Sequence, residues 1–154
     1  MTKLREIMTT DVLTVSPRAS IRETAEALTM KRIGGAPVLE EGRVLGIITA
    51  SDILDFASSL SGEPPEAGEV LTHNPLDDHT VSEAMTLAPL VTLGANATVR
   101  QAAQAMRDAG VHRIPVMEGE NLLGIVTSLD LAVAIASRKV GDRTLVFPKK
   151  TRTD

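Results

Sequence analysis

One stretch of this sequence occurs twice. The run GIITASD at 46–52 returns as GIVTSLD at 124–130, and the same displacement pairs the APV at 36–38 with the IPV at 114–116. Upstream, the EIMT that begins at Glu6 matches the EAMT that begins at Glu83. Similarity spread over a whole unit indicates a duplicated structural element. The chain is therefore predicted to hold two diverged copies, at residues 4–58 and 81–137.

Each copy has the pattern strand, helix, strand, strand, helix. In the first copy a β-prone run at Val12–Val15 is followed by a capping box, Ser20 to Glu23, that begins a helix. Two further strands meet at Glu41-Gly42, and a second helix starts near Ala50. The second copy repeats this order around Gly119, with its capping box at 98–101. The predicted fold class is α+β, built from two β-α-β-β-α repeats.

Neither copy is expected to fold alone. A unit of about 55 residues buries only ~60% of its unfolded surface, so the two copies are expected to share a core, packed with pseudo-twofold symmetry. Residues 59–80 contain Gly62-Glu63-Pro64-Pro65 and Asn74-Pro75, which predict a polar linker. Residues 138–154 form a tail predicted to be mobile beyond Phe147.

Composition excludes several function classes. Aromatic residues make up 1% of the chain, with two Phe and no Tyr or Trp, so stacking platforms for nucleic acid are not expected. The net charge of -4 also argues against a nucleic-acid partner. With no cysteine there is no thiolate nucleophile and no cysteine-based zinc site. The chain shows neither a signal sequence nor an apolar run of membrane-spanning length, which predicts a cytoplasmic protein without a membrane partner.

The duplicated T-x-x-D motif, Thr49 to Asp52 and Thr127 to Asp130, follows a strand and opens a helix. Its commonest use is structural: the threonine caps the helix and the aspartate favours the helix dipole. The same geometry also suits a nucleotide. Free N–H groups and a hydroxyl attract phosphate, and a carboxylate can accept hydrogen bonds from both ribose hydroxyls. Both interpretations stay open on the motif alone.

Together, the E-x-M-T start, the x-P-V strand and the G-I-[IV]-T-x-x-D-[IL] close resemble tandem cystathionine β-synthase (CBS) domains, a pair known as a Bateman module. The resemblance implies a regulatory sensor without catalytic activity that binds AMP, ADP, ATP or S-adenosylmethionine in clefts between the repeats. It assigns phosphate and ribose contacts to Thr49, Asp52, Thr127 and Asp130. It assigns the adenine pocket to the first strand and the stretch before x-P-V: Thr14, Ile33, Gly34, Ala36, Pro37, Thr92, Val111, Ile114 and Pro115. With few aromatics, the purine is expected between aliphatic side chains such as Ile33 and Val111.

The two copies differ just before the proline. The second copy reads Val111-His112-Arg113, like the nucleotide-binding repeats of the AMP-activated kinase γ subunit, where the resemblance places a His-Arg pair at ligand phosphate. Arg113 suits bidentate bonds to phosphate, and His112 adds a donor whose charge depends on pH. Pairing with a surface carboxylate is the structural alternative for Arg113. Gly34-Gly35 in the first copy offers no positive side chain.

No catalytic residue, metal site or cofactor is expected. The linker residues His73, Asp77, Asp78 and His79 match no standard metal spacing, and there is no G-x-S-x-G elbow. Apolar helical faces, exemplified by Leu131, Ala132, Ala134 and Ile135, predict a homodimer, and the downstream protein partner is unknown. The alternative function is a structural interaction module with empty clefts.

Overall fold

The computed structural model describes residues 1–60, 73–87 and 89–137. The helices are α1 (Ile21–Lys31), α2 (Ala50–Ser59), α3 (Val81–Ala84), α4 (Val99–Ala109) and α5 (Ser128–Ala136). The strands are β1 (Gly35–Glu40), β2 (Arg43–Thr49), β3 (Thr86–Leu87), β4 (Arg113–Glu118) and β5 (Asn121–Thr127), with short 3-10 helices at Leu4–Glu6 and Pro75–Asp78. The α+β class predicted from the sequence is confirmed.

The hairpins and the helices that follow them form where the sequence predicts. β1 pairs antiparallel with β2 across a tight turn in which Glu41 and Gly42 both have positive φ, 50° and 77°. Such a turn matches the twist of the flanking strands and favours glycine. β4 and β5 form a second, two-stranded sheet. β2 runs directly into α2 and β5 into α5, so each hairpin delivers its last residue to a helix start.

The run Val12–Val15, predicted as a strand, is reduced to one bridge between Val15 and Val38. Val15 N–H donates to the Pro37 carbonyl at 3.1 Å, and Val15 carbonyl accepts from Leu39. The next bonds of a parallel ladder would need N–H donors from Pro17 and Pro37, and proline has none. The strand prediction was wrong in extent because these prolines block the ladder on both sides. The second copy likewise has a single bridge, Leu93 to Val116.

The chain forms two compact units that do not follow the two sequence copies. The first unit is Asp11–Leu90 with Gly119–Leu122; the second is Met1–Thr10 and Val91–Glu118, with the chain from Leu123 onward. Each unit therefore contains the opening segment of the other sequence copy. In the first unit, β3 pairs with β2 at Gly46 and Ile47; in the second, Thr9 bridges Ile125.

The exchanged segments contribute to the cores of the units they join. Leu4 is fully buried in the second unit among Val99, Met106 and Ile114. Val81 is fully buried in the first unit, where it packs with Val38 and Ile48. The opening segments are therefore part of the packed structure of each unit.

The segment 73–80, predicted as part of a polar linker, packs against α1. Asn74 caps the short helix Pro75–Asp78 by accepting from Leu76 N–H at 3.0 Å. Arg22 on α1 lies 3.2 Å from Asp77, and the two carboxylates of Asp77 and Glu26 raise the pKa of this guanidinium. The sequence prediction missed this helix because Asn-Pro is also a common turn signal. Residues 61–72 and the predicted tail, 138–154, lie outside the described residues.

The apolar face of α5 differs from its sequence prediction. Leu131 and Ala134, predicted to be exposed, are buried at 6% and 2%, and Leu131 belongs to the core cluster of the second unit. Leu129, Val133 and Ile135 are the exposed large apolar residues of this helix. Ala132 and Ile135, the other two residues of that prediction, are exposed as expected. Among the described helices, none is both long and apolar enough to cross a membrane.

Candidate functional site

Both T-x-x-D motifs form complete capping boxes. Thr49 N–H donates to Asp52 Oδ2 at 2.9 Å, and Asp52 N–H donates to Thr49 Oγ1 at 3.1 Å. The second unit repeats this arrangement: Thr127 N–H donates to Asp130 Oδ2 at 2.8 Å, and Asp130 N–H donates to Thr127 Oγ1 at 3.2 Å. The capping interpretation of the motif is therefore confirmed.

Capping leaves binding capacity at each motif. Each threonine hydroxyl accepts one bond through its oxygen, so its own O–H still has a proton to donate. Each carboxylate uses Oδ2 in the box, and an ionised carboxylate has further acceptor sites on both oxygens. All four side chains are partly exposed. The box therefore fixes the orientation of a hydroxyl donor and a carboxylate acceptor without exhausting either group.

The residue pair before each proline strand is held against the helix start. In the first unit the Gly34 carbonyl accepts from Ala50 N–H at 2.9 Å. In the second, the His112 carbonyl accepts from Ser128 N–H at the same distance, 2.9 Å. These bonds bring residues 33–35 beside the Thr49 box and residues 111–113 beside the Thr127 box.

The isolated bridges at Val15 and Leu93 place the predicted first-strand residue of each copy beside the strand that contains the proline. Val15 N–H bonds the Pro37 carbonyl at 3.1 Å, and Leu93 N–H bonds the Pro115 carbonyl at 3.2 Å. The residue before each bridge is a predicted site threonine: Thr14 or Thr92. Each unit thus brings its own three predicted segments together: the first-strand residue, the residues before and at the proline, and the capping box.

The predicted adenine-pocket residues divide by burial. The side chains of Ala36 and Ile114 are fully buried, each with 0% of its surface exposed to solvent, and Pro37 and Pro115 are also buried. The side chains of Ala36 and Ile114 therefore contribute to packing and are not accessible to a ligand. Ile33 is 39% exposed. The remaining exposed or half-buried positions are Thr14, Gly34, Thr92 and Val111.

His112 and Arg113 stand where the second unit's β4 begins. His112 is exposed and Arg113, the first residue of the strand, is partly exposed. At the matching point of the first unit, β1 begins at Gly35. The structure therefore gives the two units the same backbone arrangement with different side chains at these two positions.

Thr86 is a neighbour of the site that the sequence analysis did not select. Its hydroxyl donates to Asp52 Oδ1 at 3.3 Å, so Asp52 has hydrogen bonds on both oxygens. Thr86 belongs to the E-x-M-T start of the second copy but lies in the first unit through β3. The signal was present in the matched threonines Thr9 and Thr86, yet nothing in the repeat shows which hairpin each would join.

The two histidines of segment 73–79 pair with carboxylates that are close in sequence. His73 bonds Asp78 at 2.7 Å, and His79 bonds Glu83 at 3.1 Å. The Thr80 N–H, followed by the His79 ring, lowers the pKa of the Glu83 carboxyl. The part of the chain that the structure describes contains no group of three or more metal-ligating side chains.

A groove of about 410 Å³ lies between α1 and residues 74–76. Ala25, Met30 and Leu76 line it together with polar residues of α1. None of the predicted site residues contributes to this groove. The groove and the Thr49 capping box are separate features of the first unit.

Comparison with known proteins identifies one family. The CBS domain model matches residues 4–59 and 68–137. The CBS domain-containing protein YhcV of Bacillus subtilis is 33% identical over 135 residues, covering 86% of this chain and 85% of YhcV. The structure resembles the CBS domain pair of protein MJ0100 in complex with 5′-methylthioadenosine and S-adenosyl-L-methionine, at 25% identity and TM-score 0.71, covering 87% and 99% of the two chains. It also resembles the CBS-domain containing protein ATU1752 from Agrobacterium tumefaciens, at 28% identity and TM-score 0.72, with coverage of 87% and 99%.

Proposed function

This chain belongs to the CBS domain family, and on that premise we propose that it is a regulatory module that binds an adenosine-containing small molecule. The proposed ligands are AMP, ADP, ATP or S-adenosylmethionine. The module has no catalytic activity of its own in this proposal. It acts in the cytoplasm by passing the bound state to a protein partner or through self-association.

The observation that carries the proposal is the convergence of three segments within each unit. The capping box presents a hydroxyl donor and a carboxylate beside the free N–H groups of a helix start, which suits phosphate and ribose. The segments around Gly34 and His112 lie next to these boxes through 2.9 Å backbone bonds. Their backbone groups, with Ile33 or Val111 at the side, suit the edge and the face of an adenine.

The complex of the MJ0100 domain pair supports this class of ligand. Both of its bound molecules contain adenosine and neither contains phosphate. The shared elements of recognition are then the base and the ribose. In this chain, Asp52 and Asp130 are the proposed ribose acceptors, and the group at the 5′ position is left to other residues.

A ligand panel tests the proposal directly. We expect AMP, ADP, ATP, 5′-methylthioadenosine or S-adenosylmethionine to raise the stability of the purified chain. A ligand present at 100 times its dissociation constant stabilises a fold by about 2.7 kcal/mol. Calorimetric heat and a higher melting temperature for at least one compound support the proposal, with guanosine monophosphate as the control. The absence of both across the panel would favour the alternative, a structural interaction module with empty clefts.

Substituting Arg113 by alanine is expected to weaken AMP about tenfold while leaving adenosine within twofold, because a charge-assisted bond to phosphate is lost. Isothermal titration of both compounds measures the difference. Arg107→Ala removes the same charge from the exposed surface of α4 and is the matched control. Equal AMP affinity in wild type and Arg113→Ala would remove the phosphate assignment.

Self-association through the exposed face of α5 is part of the proposal. Leu129 and Val133 are 70% and 58% exposed on successive turns, which leaves an apolar stripe for a second copy to cover. Val133→Glu is expected to convert a dimer to a monomer in sedimentation at tens of micromolar. Gln104→Glu adds the same charge on the exposed side of α4 and should leave the dimer intact. A monomeric wild-type protein would contradict this arrangement.

A further inference from the structure

We propose that the two sites differ in the charge of the 5′ group they accept: the second unit takes a phosphorylated adenosyl ligand, and the first takes an uncharged or cationic one. This inference rests on the proposed function and divides its ligands between the two units. It concerns the side chains around each capping box, because the backbone arrangement is shared.

The two units offer the same backbone to a ligand. Each has a complete capping box and a 2.9 Å bond that holds the preceding segment against the first helical residue. In each, a single bridge aligns the first-strand residue with the proline strand. Differences in ligand preference must therefore come mainly from side chains.

The first difference lies before the proline. His112 and Arg113 place one permanent positive charge and one titratable donor at the start of β4. Gly34 and Gly35 stand at the same point of the first unit and have no side chain. A phosphate in the first unit would therefore lack the cationic partner that the second unit supplies.

The second difference lies one turn into the helix. Asp55 follows Asp52 by three residues on α2, and residues three apart are neighbours on a helix surface. Both positions retain solvent exposure. The position in α5 that matches Asp55 is Val133, which carries no charge. The first unit thus adds a carboxylate near the site where the second unit has an apolar side chain.

Arg32 is the cation nearest in sequence to the first site. It is the C-cap of α1, in the left-handed conformation with φ 53°, and it precedes Gly34 by two residues. Gly110 holds the matching C-cap of α4. Arg32 is exposed at the end of α1. The backbone bond from Ala50 N–H goes to the Gly34 carbonyl, so it does not hold Arg32 against α2. The test therefore includes its removal.

The charged side chains around the two sites predict that the sites prefer ligands of opposite charge. The second unit has Arg113 where the first has a glycine, and the first has Asp55 where the second has a valine. The arginine, which can bond the phosphate directly, changes the affinity for a phosphorylated ligand by about tenfold and the aspartate by about threefold, so the two together give about thirtyfold. The sulfonium of S-adenosylmethionine should show the reverse preference, and 5′-methylthioadenosine should be insensitive.

The experiment isolates each site by removing the proposed ribose acceptor of the other. Asp130→Asn leaves the first site, and Asp52→Asn leaves the second. Isothermal titration of each variant with AMP and 5′-methylthioadenosine should show AMP as the weaker ligand of the first site and the stronger ligand of the second. The ratio of AMP affinity to 5′-methylthioadenosine affinity is expected to be about thirtyfold higher at the second site than at the first, and only AMP binding at the second site should weaken strongly with added salt.

Two further variants test the origin of the preference. Asp55→Asn should strengthen AMP at the first site about threefold, and Arg32→Ala should leave that affinity within twofold. A tenfold loss of AMP binding at the first site in Arg32→Ala would overturn the inference, because that site would then have its own phosphate partner. The same ranking of the two ligands at both sites would also overturn it while leaving the proposed function standing. If the wild-type chain binds neither compound nor any other of the adenosine panel, the proposed function itself fails.

Discussion

Replacing Gly46 with alanine is expected to destabilise the first unit by about 3 kcal/mol, at the upper end of the usual cost of overpacking. A Cβ at this position would lie 2.2 Å from the Thr86 carbonyl oxygen and 3.2 Å from its carbonyl carbon. Both atoms are backbone of β3, which pairs with β2 at this residue. The clash can be relieved only by moving one strand away from the other.

Chemical denaturation monitored by circular dichroism measures this loss. Gly94→Ala is the matched control, because its nearest atom is 4.0 Å away and its stability should change little. Gly124→Ala in the second unit is expected to be intermediate, since its Cβ would meet the Thr9 carbonyl oxygen at 2.7 Å and the movable Met8 side chain. Wild-type stability for Gly46→Ala would contradict the tight pairing of β3 with β2.

The duplication was readable from the sequence, but the exchange of opening segments was not. The EIMT and EAMT segments are nearly alike, and each of the two hairpins presents a glycine at the pairing position, Gly46 or Gly124. Local propensity is then equal for either pairing. Which segment joins which hairpin depends on the path of the whole chain, and a residue pattern does not contain that path.

Part of the candidate site could likewise be predicted from the sequence, and part could not. Helix-start chemistry is local, so the boxes at Thr49 and Thr127 formed as the T-x-x-D spacing predicts. Side-chain direction in a strand depends on register. The sequence at 35–38 has no alternation of polar and apolar residues, so it did not show that Ala36 would be buried in the core. Thr86 reached Asp52 only through the exchanged segment.

Asp130→Asn is expected to abolish most ligand binding at the second site while leaving the fold nearly unchanged. Asparagine keeps one side-chain oxygen, which can still accept from Thr127 N–H at the 2.8 Å position held by Asp130 Oδ2. The second oxygen is replaced by an NH₂ donor, and the negative charge is lost. A ribose diol then has no charged acceptor to share, and a hydrogen bond to a charged group contributes about 1.5–3 kcal/mol.

The expected weakening is therefore about ten- to a hundredfold in isothermal titration with AMP at the second site. The free energy of unfolding, measured without ligand, should fall by less than about 1 kcal/mol, which is the usual contribution of an acidic group at a helix start. Asp108→Asn, on the exposed end of α4, changes the net charge equally and should keep wild-type affinity. Because the capping bond survives in asparagine, a large loss of stability with unchanged affinity would mean that Asp130 serves the helix alone, and ribose recognition at this unit would have to be assigned elsewhere.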